Sequence, residues 1–240
     1  LNGVKATDSI TFKPAVATSV SGTSELTALI NLKKLLPSAD FSGVDTLLGT
    51  SADVAAIKSA LNIAKDAVVG ITGQISAVDA NAIAKATAGV LTAEIKDGSV
   101  AATLKALANV DADDIITFKT TDTTADASDL VALDAKVTTF TAPSITTITE
   151  NAATIGVDAK TVTDALNIAQ NVAVKITGTI SATNAGLIAT DTTGVVTATI
   201  TTDSAAALKA ALIATADVDD ALTLTILKGT ASAADLNALN

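Results

Sequence analysis

The stretch Ala60–Gly73, ALNIAKDAVVGITG, returns 105 positions later at Ala165–Gly178 as ALNIAQNVAVKITG. Both copies run from a helix-like pattern into a strand-like one and continue into Ile-Ser-Ala, at Ile75–Ala77 and Ile180–Ala182. Internal repetition restricts the possible folds more than any single residue does. Each repeat is one supersecondary unit that buries its apolar face only against a neighbour. The match continues beyond the opening stretch. Gly89–Ile95 (GVLTAEI) aligns with Gly194–Ile200 (GVVTATI), and Leu104–Ala106 with Leu208–Ala210. Asp111–Phe118 (DADDIITF) aligns with Asp217–Leu224 (DVDDALTL), and Ala127–Asp134 (ASDLVALD) with Ala233–Asn240 (AADLNALN).

A finer rhythm runs inside this period. Strand patterns centred near 46, 70, 92, 117, 146, 174, 197 and 224 alternate with helix patterns that open on Ser, Thr or Asp. The spacing is about 25 residues, in the range of leucine-rich-repeat-like units. Ser24, Ser51, Ser76 and Ser99 read as helix N-caps, and Ser9–Lys13 as a strand limited by Pro14. Val137–Ile148 reads as one extended region broken by Pro143. Alternating strands and helices with short connections imply parallel strands and right-handed crossovers. A doubly wound or barrel domain satisfies that, and so does an α/β solenoid. The repeat favours the solenoid, with the sheet on one side and the helices on the other. The expected organisation is an N-terminal strand and helix segment over 1–40, then about eight repeats over 41–240.

The strands also indicate their facing. Val196, Ala198 and Ile200 form one set in their strand and Thr197 with Thr199 the other; Leu222, Leu224 and Ile226 alternate with Thr223 and Thr225. Thr92, Thr117 and Thr177 continue the polar set. The seven threonines are therefore expected on an exposed sheet face. Threonine is a good β-former and needs no function there. The alternative is a flat hydroxyl array for glycan, for another copy of the sheet or for ice.

The composition closes several classes of function. There is no His, Cys, Met, Trp or Tyr, and the net charge is −10. All 15 bases are Lys and 22 of the 25 acids are Asp. Without arginine forks, a basic patch or aromatic platforms, nucleic-acid binding is disfavoured. Without His or Cys, the usual nucleophilic triads and zinc sites are closed. An Asp pair for glycoside hydrolysis lacks aromatic sugar platforms, and the glycines of Gly70–Gly73 and at Gly178 do not form phosphate loops. The expectation is a non-enzyme without a required cofactor. Asp111, Asp113 and Asp114, with their counterparts Asp217, Asp219 and Asp220, are the candidate calcium ligands, since closely spaced carboxylates chelate hard cations. No EF-hand pattern accompanies them. Mean hydropathy is +0.51, yet no apolar run of about 18 residues exists, so membrane insertion is not expected. The chain opens on Leu without Met and stops within a helix pattern. Both suggest a piece processed or excised from something longer.

The phrases SITTITENAATI (Ser144–Ile155), ITGTISATNAGLIATDTTGVVTATI (Ile176–Ile200) and GTASAADLNAL (Gly229–Leu239) resemble repeats of the giant Ala/Thr/Asp-rich cell-surface proteins of marine cyanobacteria, which include one needed for swimming. The resemblance covers most of residues 45–240. It implies an extracellular repeat module with a structural, adhesive or motility-linked role, with no catalytic residues to carry over. The residues themselves point to an elongated spacer or a self-stacking filament or surface-layer subunit that associates through its ends or sheet face, the alternative being an adhesin-type module that binds glycan or a partner protein on the Thr-rich face.

Overall fold

The computed structural model describes residues 18–152, 159–216, 219–229 and 231–239; the strand expected at Ser9–Lys13 lies outside them. In chain order the elements are β1 (Thr18–Ser21), α1 (Gly22–Leu35), β2 (Val44–Thr50), a 3-10 turn (Ser51–Asp53), α2 (Val54–Leu61), β3 (Val68–Ile75), α3 (Ala77–Ala86), β4 (Leu91–Ile95), α4 (Val100–Ala106) and β5 (Ile115–Lys119). There follow β6 (Thr124–Asp126), α5 (Ala127–Asp134), β7 (Thr139–Thr141), β8 (Thr147–Asn151), α6 (Lys160–Ile168), β9 (Ala173–Ile180), α7 (Ala182–Asp191), β10 (Val196–Ile200), α8 (Ala205–Leu212), β11 (Ala221–Thr223) and α9 (Ala233–Ala238). The expected α/β alternation is present, and the strand pairings described are all parallel.

Two compact units share the chain with interleaved boundaries. The first takes Leu1–Gly98, Ala102–Lys119 and Ala135–Phe140; the second takes Ser99–Ala101, Thr120–Asp134 and Thr141–Asn240. The first holds a six-stranded sheet in the order β1-β2-β3-β4-β5-β7, the second a five-stranded sheet in the order β11-β10-β9-β8-β6. Residues 18–35 are thus not a separate segment, because β1 extends the first sheet alongside β2. The extended region at 137–148 is likewise two strands: β7 joins the first sheet and β8 the second, with the break at Ala142–Thr146 around Pro143.

Sequence pattern accounts for the layers. In β4 (LTAEI) and β10 (VTATI) the first, third and fifth residues are buried and the intervening ones exposed. One face of each sheet is therefore apolar and takes the helices. In the first unit Leu91 and Ile95 of the strand and Ile83 of the helix are buried, and in the second Val196, Ile200 and Ile188. Ser76, Ser181, Ser204 and Ser232 cap α3, α7, α8 and α9, each accepting the N–H three residues on. Two expected caps shift. Thr50, not Ser51, accepts Ala52 N–H in a capping box closed by Asp53. Ser21, not Ser24, precedes α1 and makes no side-chain cap.

The 105-residue offset holds to the residue for β3 and β9, α3 and α7, and β4 and β10. Irregularities are copied as well. Gly73 (φ +81°) and Gly178 (φ +89°) take the left-handed conformation, and each sits in a register shift against the following strand. A glycine bulge lets the strand run on to Ile75 and Ile180, where the sequence pattern alone ends it at Thr72 and Thr177.

Candidate functional site

The seven candidate threonines are all exposed, but they do not form one column. Thr92 and Thr117 stand on the first sheet. Thr92 is aligned with Gly70 and Ile115, and Leu48 lies over Gly70, where an added Cβ would meet Leu48 Cδ2 at 2.7 Å. Thr117 is aligned with Glu94, whose carboxylate accepts from Gln74 Nε2 at 2.9 Å. The threonine surface is therefore interrupted on this sheet by apolar Leu48, Val68 and Ile115.

The second sheet carries the denser array. Thr179, Thr199 and Thr223 are aligned on adjacent strands β9, β10 and β11, about 4.8 Å apart as parallel strands require. A parallel row runs Asp126, Thr149, Lys175, Thr197 and Ala221. Thr177 falls in the bulge and is aligned with Asn151 instead. Thr225 lies just beyond β11, its carbonyl accepting Asp203 N–H at 3.4 Å. The result is a small hydroxyl lattice with Lys175 as its cation.

Of the six candidate aspartates, Asp114 and Asp220 accept backbone N–H groups from a neighbouring strand. Asp114 Oδ1 accepts the N–H of Leu91 at 2.8 Å, and its Oδ2 accepts that of Asp111 at 3.2 Å. Asp111 Oδ1 in turn accepts Asp113 N–H at 3.0 Å. One period later Asp220 accepts the N–H of Val196 at 2.8 Å. Between these rungs Thr138 Oγ1 accepts from Ile116 N–H at 3.3 Å and donates to Asp114 carbonyl at 2.9 Å. The side chain of one repeat thus satisfies an N–H at the start of the strand of the repeat before it, the first residue in β4 and β10 and the second in β5. Asp219 is exposed, and Asp217 lies outside the described residues. Among the described residues no three acidic side chains are grouped to hold a metal ion.

A second column of carboxylates meets helix starts. Asp53 accepts from the hydroxyl of Thr23 at the start of α1, Asp122 Oδ2 from Val100 N–H of α4 at 2.7 Å, and Glu150 Oε2 from Ser128 N–H of α5 at 3.0 Å. Anions at a helix N-terminus gain from the dipole and from orphan N–H groups. Lysines add a third link, Lys58 to Asp79 at 2.8 Å between α2 and α3, and Lys209 to Asp235 at 2.9 Å between α8 and α9. Part of the Asp-rich composition thus serves as stitching between successive repeats. Sequence reading missed it because partner and donor stand 20 or more residues apart.

These carboxylates divide by titration. Burial raises Glu150, Asp114 and Asp129 above their ordinary values. The Thr23 hydroxyl and the N–H and hydroxyl of Thr50 lower Asp53; Lys58 and Ser76 lower Asp79; Ser232 and Lys209 lower Asp235. For the raised group the folded chain holds protons that the unfolded chain has released, so stability grows as the pH falls towards 4.5 for Glu150 and 3.8 for the aspartates. For the lowered group the unfolded chain takes up protons first, so stability is lost as the pH falls below 3.8. The urea midpoint is expected to rise from neutral pH to about pH 4–4.5 and then fall. Glu150→Gln should flatten the rise, and a midpoint that falls steadily from pH 7 would contradict this division.

No helix among the described residues is long and apolar enough to cross a membrane. No protein-family model matches the chain, and neither a curated protein nor a solved structure matches it.

Proposed function

We propose that the chain is a non-enzymatic structural repeat segment of an extracellular or cell-surface protein, built as a right-handed α/β solenoid of roughly 25-residue strand–helix units. The observation that carries this reading is the copying of whole elements, bulges and inter-repeat stitches at an offset of 105 to 106 residues. Gly73 and Gly178, Asp114 and Asp220, and Thr87 and Thr192 recur in matching roles. Selection on a single site does not demand such copying, whereas a stack of equivalent units does. The resemblance to cyanobacterial surface repeats suggests the location. The role would be that of a spacer or stacking element.

The test is excision of one period. Deleting residues 87–191 joins Ala86 to Thr192, so that Thr192-Thr193-Gly194 replaces Thr87-Ala88-Gly89. In a solenoid, stability is close to a sum of unit and nearest-neighbour contributions. The shortened chain should keep its helix and strand content per residue and unfold cooperatively at a lower midpoint. An unfolded product would defeat the solenoid reading, because a closed or doubly wound domain loses its core on such a deletion.

A second reading is supported by the hydroxyl lattice. Among the described residues the hydroxyls of Thr197, Thr199 and Thr223 make no side-chain hydrogen bond, which leaves them for a glycan or a partner protein. The pair Thr199→Lys and Thr223→Lys, both solvent-facing, should abolish capture on immobilised bacterial polysaccharide without moving the thermal midpoint. Equal capture by wild type and variant would reject the adhesin role.

A further inference from the structure

The two copies differ where one helix meets the turn that follows the next. The offset between them grows from 104 at Leu104 to 106 at Asp111, so the second copy holds two more residues between those points. The facing residue on the preceding helix differs too: Asn81 of α3 has Gly186 of α7 as its counterpart, 105 positions on. Each of the two contacts lies inside one compact unit.

The two differences compensate each other. In the first copy Asn81 Oδ1 accepts from the backbone N–H of Asn109, in the turn after α4, at 2.6 Å and from its Nδ2 at 3.2 Å. In the second copy the turn after α8 satisfies its own groups. Thr215 N–H donates to Leu212 carbonyl at 3.0 Å, and the Thr215 hydroxyl donates to Ala211 carbonyl at 3.0 Å. The longer segment occupies the space where a side chain on α7 would stand. A Cβ on Gly186 would lie 2.5 Å from Thr215 Oγ1 and 2.8 Å from Ala211 oxygen, and Gly186 is buried. Close approach demands this glycine, since its φ is not positive.

Exchanged pairings fail in both directions. Against the second turn, Asn81 would collide with the hydroxyl and carbonyl that exclude a Cβ at Gly186. Against the first turn, Gly186 offers no acceptor to Asn109 N–H and leaves a gap in place of the Asn81 side chain. We infer that Asn81 with Asn109, and Gly186 with Thr215, form a pairing code that matches each helix to the turn of its own copy and rejects the turn of the other. Near-identical units can dock interchangeably while a chain folds, and specificity then requires an element that penalises the wrong neighbour. This deepens the structural-repeat reading and rests on its repetition of units.

The test exchanges one turn in the full chain. Ala211–Ala216 (ALIATA) is replaced by Leu107–Val110 (LANV), which keeps a leucine that is buried in both copies, as Leu212 and as Leu107. Gly186→Asn should lower the urea midpoint of the natural chain by about 1 M and raise that of the chimera. Helix propensity alone would shift both backgrounds in the same direction. If the chimera does not fold by itself, Gly186→Asn should restore it. A loss of equal size in both backgrounds, or a chimera left unfolded by Gly186→Asn, would overturn the code. The first copy is measured separately. Asn81→Asp keeps the acceptor and should hold the midpoint, whereas Asn81→Leu, a better helix former of similar size, should lower it by about 0.5 M. Equal midpoints for these two variants would overturn the part assigned to Asn81. Either failure leaves the excision result, and with it the repeat reading, in place.

Discussion

Gly194→Ala is expected to lower stability by about 3 kcal/mol, read as a fall in urea midpoint at unchanged slope. A Cβ at this position would lie 2.3 Å from both the carbonyl carbon and oxygen of Val172. The obstacle is backbone, so no rotamer relieves it. Conformational strain plays no part, since Gly194 is not among the residues with positive φ. The close approach has a cause in Thr192, whose hydroxyl donates to Val172 carbonyl at 2.7 Å and accepts Gly194 N–H at 2.9 Å. Thr87 does the same with Ala67 and Gly89 at 2.6 and 2.9 Å, and a Cβ on Gly89 would lie 2.5 Å from Ala67 oxygen. Gly89→Ala should therefore be destabilising in the same sense. Thr192→Val removes both of these hydrogen bonds without a clash and should cost about 2 kcal/mol. Gly229→Ala is the control, because nothing lies within 4 Å of its added methyl. An unchanged midpoint for Gly194→Ala would mean that the two repeats do not approach this closely.

That Thr-x-Gly contact also marks the limit of what the sequence conveys. Alternation in VTATI and LTAEI tells which face is buried, and Ser76, Ser181, Ser204 and Ser232 announce their helices, because both signals are local. Thr87 and Gly89 recur as plainly at Thr192 and Gly194, yet their recurrence does not say that the hydroxyl reaches a carbonyl 20 residues away. Asp114 shows the same limit more sharply. Clustered with Asp111 and Asp113 it suggests a cation, whereas both of its oxygens face backbone N–H groups, one of them on β4. Spacing along the chain identifies a charge cluster; only the register between strands identifies its partner. The exposed threonines are an intermediate case. Their facing was legible from period two, but the bulge at Gly178 sets Thr199 opposite Thr179 and leaves Thr177 without a partner on β10, and a two-residue register shift has no period to betray it.

Leu130→Ala should cost about 3 kcal/mol, within the range for a fully buried leucine that leaves a cavity behind. The same change at Leu236, in the matching position of the repeat, should cost less than about 1 kcal/mol when measured on dilute protein. The sequences around them, ASDLVALD and AADLNALN, are close enough that helix propensity and capping contribute little to the difference. What differs is the neighbour: Leu130 is fully enclosed, with α6 packed on its helix, while Leu236 is 44% exposed. The comparison therefore measures the interface between two repeats, separated from the intrinsic stability of one. Urea midpoints of the two variants give that interface contribution directly, at about 2 kcal/mol per leucine seat. Equal losses would mean that each unit holds its own leucine without its neighbour, which removes the physical reason for the units to stack at all.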